Sequence, residues 1–135
     1  MKKIVTYFLF LIVSYFSSVA IAAECTDLNG SWRGQLGELT VGLNINMSGS
    51  SSVNYHKTGG GGGMVGGVVS SCQIKDGVPI LFIWHTVNNE GGGWFIEVVV
   101  DGQLSLNNPN ELTIKRFHYL TRSGTEESGA GVLYK

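Results

Sequence analysis

Between Leu39 and Met47 the apolar side chains fall on every second position, Leu39, Val41, Leu43, Ile45 and Met47, with Glu38, Thr40, Gly42, Asn44 and Asn46 filling the places between. A period of two held over this length predicts a half-buried strand, one face on a core and the other in water. Just upstream, Asn29-Gly30 is a turn signal, and Trp32 stands where an entering strand plugs the end of a barrel. Downstream, Ser48-Gly49-Ser50 turns the chain into a second ribbon, residues 51–57, with Val53 and Tyr55 on one face.

The next stretch, residues 59–67, opens with five consecutive glycines and has no periodicity. Each glycine inside a helix costs about 1 kcal/mol against alanine, so the stretch is expected to be a mobile connection at a barrel mouth. A phosphate-cradling loop would need a Lys-Ser/Thr ending and a following helix, and neither is present. Residues 68–74 read as a short strand ending in the hairpin signal Lys75-Asp76-Gly77. The run VPILFIWHTV, residues 78–87, is apolar almost without interruption. Continuous hydrophobicity predicts burial on both faces, as in a central strand or one that also meets a partner subunit.

Asn88 to Gly93 turns the chain into residues 94–100, where Trp94, Ile96, Val98 and Val100 share one side. Asp101-Gly102 reads as another turn, residues 103–106 as a short strand, and Asn107-Asn108-Pro109-Asn110 as a break. In residues 112–121 the phase slips: Leu112 and Ile114 lie on one parity, Phe117 and Tyr119 on the other, which places a bulge near Lys115 and Arg116. Residues 123–129 are polar, and residues 132–134 close the chain. The expected fold is all-β: an antiparallel up-and-down barrel of about eight strands, with a ninth allowed. A meander on short turns favours a barrel over a sandwich because closure removes exposed edges.

Composition adds a compartment. Lys2 and Lys3 precede an apolar run, residues 4–21, that ends in Ala20-Ile21-Ala22-Ala23, the pattern of a secretory signal peptide over residues 1–23. The apolar run is also near the length of a membrane anchor, but the alanine-rich exit favours cleavage. Glu24 directly before Cys25 argues against lipid attachment there. The remaining single domain, residues 24–135, is long enough to bury one core. It carries seven basic against ten acidic side chains, which invites neither nucleic acid nor an acidic membrane surface. Its two cysteines, Cys25 and Cys72, form an even pair, which in a secreted or periplasmic protein reads as one disulfide. All twenty glycines lie in this part, clustered between β-branched runs as tight connections would be.

The segment Gly30-Ser31-Trp32-Arg33-Gly34-Gln35-Leu36-Gly37-Glu38-Leu39 resembles the opening of the avidin and streptavidin family, a calycin-type β-barrel. Tyr119-Leu120-Thr121-Arg122-Ser123-Gly124-Thr125-Glu126 is similar to that family's aromatic-Leu-Leu-Thr-Ser-Gly-Thr segment with one residue added, and Cys25 to avidin's first half-cystine. The resemblance implies a barrel that holds a small ligand, with Tyr55, Trp84, Trp94 and either Phe117 or Tyr119 as its walls. It does not carry biotin over. The family's Asn and Ser that hold the ureido oxygen fall on Gly34 and Glu38, and its last-strand tryptophan and aspartate have no counterpart in residues 129–135.

Catalytic patterns are missing from the sequence. His56, His85 and His118 lie on three different expected strands without metal-ligand spacing, so no metal or other cofactor is expected. No Gly-x-Ser-x-Gly elbow occurs, and the adjacent acids Glu126-Glu127 read as a solvated loop, since neighbours cannot face each other across a cleft as a glycosidase pair must. The aromatics carry more, since a flat apolar wall with a polar edge suits either a filled barrel or a pocket. Arg116 or Arg122 is expected to stack on Trp32 and seal the barrel base. These features point to a non-catalytic binder of a small apolar or mixed ligand, with Tyr55, Trp84, Trp94, Phe117 and Tyr119 as candidate ligand-binding residues and residues 59–67 as a lid. A secreted interaction module, inhibitor or adhesin, is the alternative. The run at residues 78–87 leaves room for a homo-oligomer.

Overall fold

The structure, a computed structural model, describes residues 23–89 and 91–135. The expected signal peptide, apart from Ala23, lies outside the described residues. After a single 3-10 turn, Cys25–Leu28, come nine strands: β1 (Gly30–Leu36), β2 (Leu39–Ile45), β3 (Ser51–Lys57), β4 (Gly62–Val68), β5 (Ser70–Lys75), β6 (Val78–Asn89), β7 (Trp94–Leu104), β8 (Glu111–Leu120) and β9 (Glu126–Tyr134). They form one nearly closed antiparallel sheet in the order β4-β3-β2-β1-β9-β8-β7-β6-β5. Following the alternation of direction around the sheet, β3 and β6 run the same way, and β4 and β5 both run against them. Only Val69 separates β4 from β5. The two are therefore one bent strand whose first half pairs with β3 and whose second half pairs with β6. The described residues form an eight-pass up-and-down barrel of nine strand segments joined by eight ladders.

The alternation in β2 decides which face is interior. Leu39, Val41, Leu43 and Ile45 are buried while Thr40 and Asn44 are exposed. The interior is filled from the base upward by Leu28, Trp32, Leu36, Ile114, Phe117 and Leu133 among others. At the base Trp32 donates its Nε1 hydrogen to the Leu28 carbonyl at 2.7 Å, so the indole is both plug and anchor for the 3-10 turn. The cation over its ring is Lys135, with Nζ 5.0 Å from the centroid and donating to the Asp27 carbonyl at 3.1 Å. Neither Arg116 nor Arg122 takes that place. Because β8 runs from the base to the mouth, Arg122 emerges at the opposite end, and Arg116 sits opposite Asp101 in the ladder on the exposed face.

Closure depends on glycine. Where β1 meets β9, a Cβ at Gly34 would overlap the Val132 carbonyl, and one at Gly129 would come within 2.7 Å of the Leu36 carbonyl. Side chains there would hold the two strands apart. The other joint is the bend. Ser51, buried at the start of β3, accepts hydrogen bonds from the Asn46 amide at 3.0 Å and from the Ser70 hydroxyl at 2.8 Å, tying β5 back across the bend. Cys25 and Cys72 form the expected disulfide, which pins the 3-10 turn to β5.

Three expectations change. The glycine run is a connection only up to Gly61, a turn closed by Lys57 N–H to the Gly61 carbonyl at 2.9 Å; Gly62 and Gly63 already belong to β4, because an edge strand needs backbone partners on one side rather than side chains. Asp101-Gly102 does not turn the chain but forms a bulge inside the single long strand β7. Glu126 and Glu127 open β9 rather than lying in a loop. The slip expected in β8 is present, between Ile114 and Phe117.

The disulfide joins residues 47 apart, and in the loop-entropy description such a link restrains the unfolded chain by about 4 kcal/mol. The Cys25→Ser/Cys72→Ser double variant should lose about that much in urea denaturation, with an unchanged far-ultraviolet β spectrum; an unchanged midpoint would show that the link contributes nothing.

Candidate functional site

The mouth of the barrel, opposite Trp32, holds an open cleft of about 700 Å³. Its floor is a pair of tyrosines. Tyr55 follows Val53 on the inward parity of β3. Tyr119 reaches the interior only because of the bulge in β8: without the extra residue, the parity of Leu112 and Ile114 would bring Arg116 and His118 inside instead. The two rings lie with centroids 4.7 Å apart and planes tilted by 57°. Gly63 of β4, directly opposite Tyr55, lets them meet; a Cβ on it would stand 2.7 Å from Tyr55 Cε1 and 2.9 Å from Tyr119 Cζ.

Ile96 supplies apolar wall, Met64 pointing outward between Gly63 and buried Val65, and the turn from β8 to β9 supplies a polar rim of Thr121, Arg122, Ser123 and Thr125. That turn is held by Thr121 N–H to the Thr125 carbonyl at 2.8 Å and by Gly124 N–H to the Thr121 carbonyl at 2.9 Å. Glu127, inward on β9, is paired with Lys57 at 3.3 Å. The Arg122 guanidinium lies 4.2 Å over the Trp94 ring. Burial pushes the Tyr55 phenol above its ordinary range, helped by the Glu127 charge and opposed by Lys57. Burial also raises Tyr119, helped by Tyr55 and opposed by Arg122.

Of the five residues expected at a ligand site, Tyr55 and Tyr119 are brought together in the cleft. Trp94 borders it as the platform beneath Arg122. Phe117 is 1% exposed in the core and does not line the cleft. Trp84 is on the other side of the wall: Leu81 and Ile83 point inward on β6, so the indole next to Ile83 points out, 66% exposed, and donates to Glu97 Oε2 at 3.3 Å. The same outer face carries His118 between Glu97 (3.4 Å) and Glu126 (3.0 Å). The expected lid, residues 59–67, is instead the β3–β4 turn and a wall strand. Sequence reasoning missed Gly63, the hydroxyls of the 121–125 turn and Glu127. The only signal for them was their position next to Tyr119 and in the glycine run.

Gly63→Ala should push the tyrosine pair apart, with a stability loss of about 1 to 3 kcal/mol and an altered near-ultraviolet circular dichroism spectrum. Wild-type stability and spectrum in this variant would mean that the rings do not rely on the gap. The raised phenols also set a pH dependence. The folded state holds these protons more tightly than the unfolded chain, so stability is full below the ordinary phenol range and falls as pH rises through about 10 and beyond. Tyr55→Phe and Tyr119→Phe should each flatten that fall, and absorbance at 295 nm should show phenolate formation at lower pH in the urea-unfolded than in the folded protein.

No protein-family model matches this sequence, and neither curated proteins nor solved structures give a match.

Proposed function

We propose that this is a secreted or periplasmic, non-catalytic binding protein that takes a small, partly apolar ligand in the mouth cleft of an avidin-like barrel. The observation that carries the proposal is the tyrosine-floored cleft above an otherwise filled interior. Two flat rings, an apolar wall and a rim of hydroxyls offer contact area plus a few orienting polar groups, which is the usual make-up of a small-molecule site. The disulfide is consistent with an oxidising compartment. The filled base means that the ligand rests on the tyrosines rather than deep in the barrel. Biotin is a comparison ligand only, since Gly34 and Glu38 replace two of the groups that would hold its ureido oxygen.

Native mass spectrometry of protein purified from its own host should show a small-molecule adduct, and binding should quench Trp94. Ile96 is half-buried on the cleft wall, so Ile96→Trp should narrow the cleft and weaken binding about tenfold or more while the far-ultraviolet β spectrum is kept. Binding unaffected by this variant would place the ligand elsewhere and end the cleft proposal.

A second reading, an interaction module that associates through its outer face, is favoured by Phe82 and Trp84, 47% and 66% exposed side by side on β6. They are the outward half of the apolar run in residues 78–87. Sedimentation equilibrium should then give twice the chain mass at micromolar concentration, and Trp84→Ser should return it to one.

A further inference from the structure

Resting on the mouth-cleft reading above, we infer that the ligand carries a single negative charge, a carboxylate on a flat aromatic body, received by Arg122 and the hydroxyls of the turn between β8 and β9. Two charged residues line the cleft, Arg122 and Glu127. Glu127 is neutralised by Lys57, with its side chain 13% exposed. Arg122 is not: among the described residues no carboxylate lies within ion-pair distance of it. Its guanidinium stacks 4.2 Å over Trp94, and stacking on an aromatic face leaves the N–H edge of the fork free to meet a planar anion.

The neighbouring hydroxyls add a donor. Thr121 Oγ1 and Ser123 Oγ are 3.0 Å apart, and Ser123 Oγ and Thr125 Oγ1 are 3.3 Å apart. Three hydroxyls joined by two hydrogen bonds use two of their three protons, whichever way the chain runs. The Thr125 amide also donates to Thr121 Oγ1 at 3.1 Å, which consumes an acceptor and no hydroxyl proton. One O–H is left to donate, in a turn that lines the cleft beside the guanidinium. An unpaired cation with a spare donor selects an oxygen-rich anion. With Glu127 and Lys57 offsetting each other, Arg122 leaves the cleft one positive charge, which matches a carboxylate better than a phosphate dianion.

Isothermal titration calorimetry with benzoate, 2-naphthoate and indole-3-acetate, each against its neutral primary amide, separates the charge from the cleft. At least one acid should bind about tenfold or more tightly than its amide. Arg122→Gln should remove that preference, acid and amide then binding within about twofold of each other, and Arg122→Lys should retain part of it. Arg122 is exposed at the turn, so these variants should keep the wild-type melting temperature. If acid and amide bind equally, or if the preference survives Arg122→Gln, the anion inference fails and the cleft reading stands. If inorganic phosphate displaces the acid at equal concentration, the monoanion assignment is wrong. If no acid and no amide binds, the cleft reading falls and takes this inference with it.

Discussion

Everything in this molecule depends on two backbones lying close together where β1 meets β9. Gly34 and Gly129 remove the side chains that would keep the strands apart, and the sheet curls until its first and last strands touch. Curling creates the interior that Trp32 plugs at one end. The same curvature brings β3 and β8, which share no ladder, near enough for Tyr55 and Tyr119 to meet at the other end. The cleft is therefore a product of closure and not of any single segment. It exists because the barrel runs out of large apolar side chains before it reaches its mouth.

The two ends are sealed in different ways. The base has a buried indole, a hydrogen bond from that indole to Leu28, a lysine over its face and a disulfide that fixes the 3-10 turn beside it. The mouth has a tilted ring pair and a turn bound by its own hydroxyls and amides. Interactions at the base engage backbone and core together, whereas those at the mouth are local and leave polar groups turned outward. This asymmetry confines the candidate chemistry to one end.

Much of the fold was legible because it was written in side chains that alternate. The period of two in residues 39–47, the phase slip around Lys115 and Arg116 and the even cysteine pair each map onto a feature of the structure. What failed to show had no side chain or no local signature. Glycine cannot alternate, so β4 was invisible in its own sequence and passed for a loop. Asp-Gly is a turn dipeptide by composition, but inside a long strand with partners on both sides it becomes a bulge. In residues 78–87 both faces are apolar, so nothing local says which way Trp84 points; only the register set by Leu81 and Ile83 does. Tyr55 and Tyr119 could be named separately from their parity. Their meeting, and the stacking of Arg122 on Trp94, are long-range facts that follow from barrel closure.

The bend at Val69 has a consequence for how the cleft behaves. Because β4 is hydrogen-bonded to β3 on one side and ends the sheet on the other, the wall that carries Gly63 and Met64 is an edge. An edge strand moves outward at the expense of one ladder, while a strand inside the sheet would have to break two. Amide hydrogen exchange should accordingly be faster in this wall than in the strands inside the sheet. A cleft with one yielding side changes its width without disturbing the rest of the barrel, whereas its rim, held by the bonds within the turn, keeps its shape.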